Sequence, residues 1–307
     1  MIVFLSIVIV ALLLCGATVS LLFIGPKILL RPKRSTSQTY KEHGALSHPS
    51  ELQLPCEELW IRTREQFHLH CWLIKNPNAI NGTIVYLHGI GDNKALGIAH
   101  AQLLFNHGFN VAMLDFRAHG SSEGTYCTYG YYEKYDVQHF LDALSARKDF
   151  SLGKFGVYGL SMGAAIALQT ASIDKRICAV VAENSFATLR TIFDDYQKRI
   201  IKLPFHYLRN LIIARSEKLA DFDAKKVSPL NAVKFIEAPI LYIVGKDDEK
   251  ISPQYSQQLF DATRSTKEIF FVANAHHANV RYVAGKTYDD KLISFFTQHL
   301  QPSRHTN

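Results

Sequence analysis

Ser161 is the residue whose setting points most directly to chemistry. It lies in Val157-Tyr158-Gly159-Leu160-Ser161-Met162-Gly163-Ala164-Ala165, an apolar run, then Gly-x-Ser-x-Gly, then small helix-forming residues. This order predicts strand, tight turn and helix, with the serine hydroxyl at the apex. Such a turn puts the serine backbone in a strained region, and Gly159 and Gly163 let strand and helix approach without Cβ clashes. A serine hydroxyl is a poor nucleophile unless a base takes its proton, and the base needs a carboxylate to fix its tautomer. Two downstream segments supply such groups. Asp247 and Asp248 follow the apolar run Tyr242-Ile243-Val244-Gly245, and His276 and His277 follow Phe271-Val272-Ala273-Asn274-Ala275. Both segments fall where strands end, on the sheet edge that carries the elbow and that holds the site in open α/β sheets.

Strands and helices must alternate to bring these groups together, and the sequence does alternate. Glu57–Thr63 and Phe67–Ile74 have period-two polarity and predict a hairpin. His68 and His70 share one face of its second strand, where an exposed strand face is expected rather than a metal site. Apolar strands are predicted at Thr83–Leu87, Phe109–Phe116, Lys154–Gly159, Ile177–Glu183, Pro239–Val244 and Glu268–Val272, with helices over 94–107, 131–148, 254–264 and 287–299. Strands joined by helices imply right-handed crossovers and a mostly parallel central sheet covered by helices on both faces. From 187 to 236 the alternation breaks into apolar but irregular sequence (Tyr196, Ile200, Ile201, Leu203, Phe205, Leu211, Ile212, Ile213), which reads as a small helical lid.

Composition closes off several function classes. The net charge of +7 is local: Lys27, Arg31, Lys33, Arg34 and Lys41 supply five of the charges within 27–41, with no acidic residue among them, so no nucleic-acid partner is expected. Residues 2–25 carry no charged side chain and as a helix would span roughly 36 Å, enough for a bilayer core of about 30 Å. We therefore divide the chain into a transmembrane anchor (1–26), a basic juxtamembrane segment and linker (27–54), and a catalytic domain (55–302) whose lid is 187–236. The basic flank implies a single-pass protein with its domain on the cytoplasmic side. Asn81-Gly82-Thr83 is a glycosylation sequon that also sits where a turn is needed. The five cysteines form no Cys-x-x-Cys pair, and neither a phosphate loop, a dinucleotide fingerprint nor a metal-ligand set is present, so no cofactor is expected beyond water as second substrate.

With these residues in view the chain resembles the α/β-hydrolases, in the branch of serine aminopeptidase-like and monoacylglycerol lipase-like proteins, from about residue 50 to 300. The resemblance implies an α/β-hydrolase fold and the order nucleophile, acid, histidine. In that branch the acid lies three residues after the strand-ending glycine, ahead of Ile/Val and Pro. Gly245, Asp248, Ile251 and Pro253 fit, which selects Asp248 over Asp247. The histidine follows a Gly-Ala-x-His turn. Asn274-Ala275-His276-His277 departs only at its first position and selects His277 over His276. The oxyanion donors implied are the backbone N–H groups of Met162 and, after His88-Gly89, of Ile90. Asp115-Phe116-Arg117-Ala118-His119-Gly120-Ser121-Ser122 resembles the family's Asp-x-Arg-Gly-His-Gly-x-Ser loop, with Ala118 in place of glycine. Arg117 and His119 are expected to brace the site.

The leading expectation is a membrane-anchored serine hydrolase acting on an ester, thioester or amide, with lipid or acyl substrates favoured. A serine aminopeptidase-like enzyme is the alternative. It needs an acid in the lid for the substrate amine, for which Asp194, Asp195, Glu217, Asp221 and Asp223 are candidates. A non-catalytic hydrolase-fold binding protein is a third reading, and it sits poorly with a full set of triad residues.

Overall fold

Runs rich in Val, Ile, Leu and aromatic residues make good strands when their apolar faces are covered. In the computed structural model, which describes residues 1–148, 153–197 and 206–301, those runs form one eight-stranded sheet. Its strands are β1 (Cys56–Arg62), β2 (His68–Ile74), β3 (Thr83–Leu87), β4 (Asn110–Leu114), β5 (Phe155–Leu160), β6 (Ile177–Glu183), β7 (Ile240–Gly245) and β8 (Lys267–Val272), in the order β1-β2-β4-β3-β5-β6-β7-β8. The β1–β2 and β2–β4 pairings are antiparallel and all others parallel. β3 is buried along its whole length, as its charge-free sequence requires. β1 forms one edge of the sheet and carries Glu57, Glu58 and Arg62, charges that discourage a further strand from pairing there.

The helices are α1 (Ile2–Leu30), α2 (Ser37–Glu42), α3 (Ile98–Asn106), α4 (Glu133–Ser145), α5 (Met162–Ala171), α6 (Leu189–Tyr196), α7 (His206–Ala220), α8 (Pro229–Ala232), α9 (Pro253–Ala262), α10 (Val280–Ala284) and α11 (Lys286–Leu300). Strand side chains alternate between two cores. Val85 and Val157 face the core shared with α4 and α5. Tyr86 and Tyr158 face the one shared with α3 and α11. α5 is buried on every side, and its Ala164, Ala165 and Ala167 let it lie close to the sheet. The lid interval contains α6, α7 and α8. Leu189, Ile192 and Phe193 of α6 are core residues, whereas Ile200, Ile201, Leu203 and Phe205 lie outside the described residues.

The basic juxtamembrane segment and linker (27–54) is folded against the domain. Leu30 is fully buried in the core, α2 and a short 3-10 turn at Pro49–Leu52 give the segment regular structure, and His48 packs edge-on to Trp72 at 5.1 Å. His70 departs from the exposed face expected of it. It is buried, stacked on Trp60 at 4.6 Å, and lies 2.9 Å from the buried Lys94 ammonium. Asn81 is buried as well; its amide donates to the His107 carbonyl at 2.8 Å and accepts from Gln301 at 3.0 Å. The sequon is thus occupied by folding contacts that a glycan would break.

Candidate active site

β5 lies between β3 and β6 at the middle of the sheet, so its C-terminal end opens between the loops that follow those two strands. Ser161 sits at that end with φ 58° and ψ −118°, a conformation costing about 1–3 kcal/mol for a residue with a side chain. Its N–H is held by the Glu183 carbonyl at 2.8 Å. The flanking glycines are obligatory. A Cβ on Gly159 would lie 2.3 Å from the Gly163 carbonyl oxygen, and one on Gly163 would lie 2.1 Å from the Leu87 carbonyl oxygen. Since both obstacles are backbone, Gly163→Ala is expected to destabilise the fold by more than about 3 kcal/mol. A fall in thermal midpoint of less than about 3 °C would contradict this.

The two open choices from the sequence separate in space. His277 Nε2 is 2.9 Å from Ser161 Oγ, and His277 Nδ1 is 2.7 Å from Asp248 Oδ2. Asp248 Oδ1 accepts the N–H groups of Lys250 at 2.8 Å and Ile251 at 2.9 Å, which fixes the plane of its carboxylate. The Asp248 side chain is 1% exposed and that of His277 15% exposed. Asp247 is exposed and takes part through its backbone: its N–H donates to the Ala275 carbonyl at 2.9 Å. His276 is exposed and contacts the Asp247 carbonyl at 2.8 Å.

Asn184 was not singled out by sequence reasoning, yet it joins the acid and histidine loops. Its amide donates to His277 O at 3.1 Å and accepts from Gly245 N–H at 3.0 Å. It adopts φ 50°, a left-handed value that asparagine tolerates better than most residues. The available signal was its place immediately after β6.

On the opposite side of Ser161, the Gly89–Ile90 peptide is oriented by a buried histidine. His88 Nδ1 is 2.7 Å from the Gly89 carbonyl, and His88 Nε2 accepts the Phe116 N–H at 3.1 Å. These partners require the neutral ring with its proton on Nδ1. Burial drives its pKa down to about 3, so the ring stays in that form at neutral pH. The carbonyl that His88 holds belongs to the same peptide unit as the Ile90 N–H. Among the described residues no protein acceptor takes the N–H of Ile90 or of Met162, the first residue of α5.

The 115–122 loop braces this side. Asp115 accepts Lys94 N–H at 2.8 Å, the Lys94 ammonium at 2.7 Å and Ser121 N–H at 2.9 Å. Arg117 is buried and makes two 2.6 Å bonds to Asp136, and His119 Nδ1 contacts the Arg117 carbonyl at 2.9 Å. Ala118 has φ 61°, so the position that departs from the family pattern is one where glycine would be free of strain. A cavity within the lid, lined by Leu189, Ile213, Ala214 and Glu217 among others, is not lined by Ser161, Asp248 or His277.

The sheet order, the strained serine after β5 and the sequence relationships together define the class: the chain has the alpha/beta hydrolase fold. A family model described as alpha/beta hydrolase fold matches residues 82–220. Among curated relatives, the uncharacterized protein YqkD of Bacillus subtilis is 29% identical over 233 residues, covering 74% of each chain. The alpha/beta hydrolase domain-containing protein WAV2 of Arabidopsis thaliana is 26% identical over 264 residues, covering 83% of each. The uncharacterized membrane protein YNL320W of Saccharomyces cerevisiae is 27% identical over 244 residues, covering 77% of this chain and 80% of its own. Among solved structures, the Pyrococcus furiosus esterase Pf2001 superposes with a TM-score of 0.73 at 24% identity, covering 89% of this chain and 98% of its own.

Proposed function

We propose that this protein is a membrane-anchored serine hydrolase that cleaves an acyl ester, thioester or amide through an acyl-enzyme on Ser161, with Asp248 and His277 completing the triad. The observation that carries the reading is the unbroken hydrogen-bond chain from Asp248 through His277 to a serine at the apex of a strained turn. In this scheme Ser161 Oγ bonds to the substrate carbonyl carbon while its proton passes to His277 Nε2. The carbonyl oxygen becomes an oxyanion facing the N–H groups of Ile90 and Met162, each worth about 3 kcal/mol. The intermediate collapses, the bond to the leaving group breaks, and that group takes the proton from the imidazolium. Water then repeats the sequence on the acyl-serine, releasing the acid and restoring the Ser161 hydroxyl. Asp248 holds the Nδ1–H tautomer and stabilises the imidazolium.

The anchor rests on the sequence of residues 2–25. The backbone of α1 is one helix over Ile2–Leu30, and Phe4, Leu5, Ile7, Leu12 and Phe23 are each more than half exposed, an apolar surface suited to lipid. Among the described residues no helix is long and apolar enough to cross a membrane, and several α1 side chains, Val10 and Leu13 included, lie outside that description. The basic flank at 27–41 favours a cytoplasmic domain. A yeast relative is named as a membrane protein, which agrees with membrane association.

Lipid or acyl substrates are favoured over peptides because most lid acids are already engaged. Asp194 pairs with Arg209, Asp195 accepts the Tyr255 hydroxyl at 2.8 Å, Glu217 accepts the Ala224 N–H at 2.9 Å, and Asp223 accepts the Lys225 N–H at 2.9 Å. The test compares p-nitrophenyl esters of increasing acyl length with aminoacyl anilides, on the native protein and on Ser161→Ala. Ester hydrolysis that requires Ser161 and rises with acyl length is expected. Faster cleavage of aminoacyl anilides would reverse the substrate assignment, and ester turnover unaffected by Ser161→Ala would end the serine-hydrolase reading.

A further inference from the structure

The segment between the apolar helix and the catalytic domain crosses two loops near Ser161. On one side it meets the loop after β4. The Leu30 carbonyl accepts Cys127 N–H at 2.8 Å, and the Leu29 carbonyl accepts the Tyr129 hydroxyl at 2.7 Å. Arg34 donates to the Ser122 carbonyl at 2.6 Å and to the Gly124 carbonyl at 2.9 Å. Cys127 Sγ in turn touches Met162 Sδ at 3.4 Å, beside the nucleophile. On the other side it meets the loop after β3. Ser35 N–H donates to the Gly91 carbonyl at 3.4 Å, Asn93 donates to the Ser35 carbonyl at 3.0 Å, and the Tyr40 hydroxyl donates to Asp92 Oδ1 at 3.0 Å.

These contacts fall on the residues that follow Ile90. Gly91 adopts φ 77°, and a Cβ there would sit 3.4 Å from the Lys33 carbonyl oxygen, so the loop and the segment lie backbone to backbone. A Cβ on Gly89, by the same measure, would be 3.6 Å from both Asp92 Oδ2 and Ser161 Cβ. Asp92 and Ser161 therefore border the same glycine, and Asp92 also bonds Tyr40. Burial pushes its carboxyl above the usual range, and the Tyr40 hydroxyl opposes that shift by hydrogen bonding to the charged form.

We propose that residues 29–40 form a strap that positions the active site, with Ser35 and Tyr40 holding the Gly89–Asn93 loop so that the Ile90 N–H faces the developing oxyanion. The inference rests on the serine-hydrolase reading. It makes the juxtamembrane segment part of the catalytic apparatus, with Tyr40 as its principal positioning residue. Ser35 acts through its backbone, its N–H donating to Gly91 and its carbonyl accepting from Asn93. Because the strap begins at the last turn of α1, the geometry of the oxyanion loop is tied to the seating of that helix.

The experiment uses the full-length protein in detergent micelles, with Tyr40→Phe and Ser35→Pro made separately. Tyr40→Phe keeps the ring and removes the donor to Asp92, while Ser35→Pro removes the donor to Gly91 and leaves Tyr40 intact. For each, kcat and KM on a p-nitrophenyl ester, the rate of fluorophosphonate labelling and the thermal midpoint are measured. A fall in kcat and in labelling rate of about tenfold, with KM within about twofold and the midpoint within about 3 °C of the native protein, is expected for both. Rates within about twofold of native for both variants, or losses that only track the unfolded fraction, overturn the strap. Failure of the native protein itself to label on Ser161 removes the serine-hydrolase reading, and the strap with it.

Discussion

His277→Ala is expected to lower kcat for ester hydrolysis by about 10⁵–10⁶-fold, whereas His276→Ala leaves it within about threefold of native. The two residues are adjacent, share an exposed loop and have the same chemistry, so the contrast isolates position. His277 Nε2 stands 2.9 Å from Ser161 Oγ, while the His276 ring leans on the Asp247 carbonyl. Removing the His277 ring leaves the serine proton without an acceptor at the moment of attack. Neither ring is part of a hydrophobic core, so the thermal midpoint serves as a control that should hardly move. Comparable losses in both variants would show that loop structure, rather than proton transfer by His277, is what the measurement reports.

Asp248→Asn is expected to cost about 10⁴-fold in kcat with little change in fold. Asp248 Oδ1 is held by the Lys250 and Ile251 N–H groups, so the asparagine carbonyl will take that side. The amide nitrogen then faces His277 Nδ1 in place of Oδ2. An N–H donor there demands an unprotonated Nδ1 and moves the imidazole proton to Nε2, where it can no longer accept from Ser161. Asp247→Asn provides the comparison, because Asp247 is exposed and its hydrogen bonds in this region come from its backbone. It should retain native kcat, and a large loss there would place the acid at the wrong residue.

Much of the fold was legible because the central strands are short, mostly apolar runs separated by helices. Ile177–Glu183 and Thr83–Leu87 coincide with β6 and β3, and the other strand expectations differ at their ends by a residue or two. The elbow was equally plain, since only small residues fit where Gly159 and Gly163 approach neighbouring carbonyls. The choice between adjacent acids and adjacent histidines was less so. Spacing alone left both pairs open, and the family pattern was needed to favour Asp248 and His277.

The connections among loops were not legible. Ser35, Thr36, Ser37 and Thr39 read by composition as a linker. Thr36 and Thr39 cap α2 locally, but Ser35 and Tyr40 bond Gly91 and Asp92, more than 50 residues away, which no local pattern reveals. Asn184 was invisible for the same reason, since its role comes from two loops that follow β7 and β8. His70 was misplaced because period-two alternation assigns residues to a face without saying what covers it. Here Trp60 and the Lys94 side chain cover the face. Ala118 shows a departure from a family pattern absorbed locally, by a left-handed backbone that alanine adopts at a cost of about 1–2 kcal/mol.

The central claim is that Ser161 is a nucleophile activated by His277 and Asp248. The most direct measurement is to treat the full-length folded protein with a fluorophosphonate, digest it and locate the adduct by peptide mass. The account predicts a single phosphonylated peptide carrying the modification on Ser161, with labelling lost in Ser161→Ala and slowed severely in His277→Ala. Folded protein that does not label, or an adduct on any other residue that persists in Ser161→Ala, would contradict it.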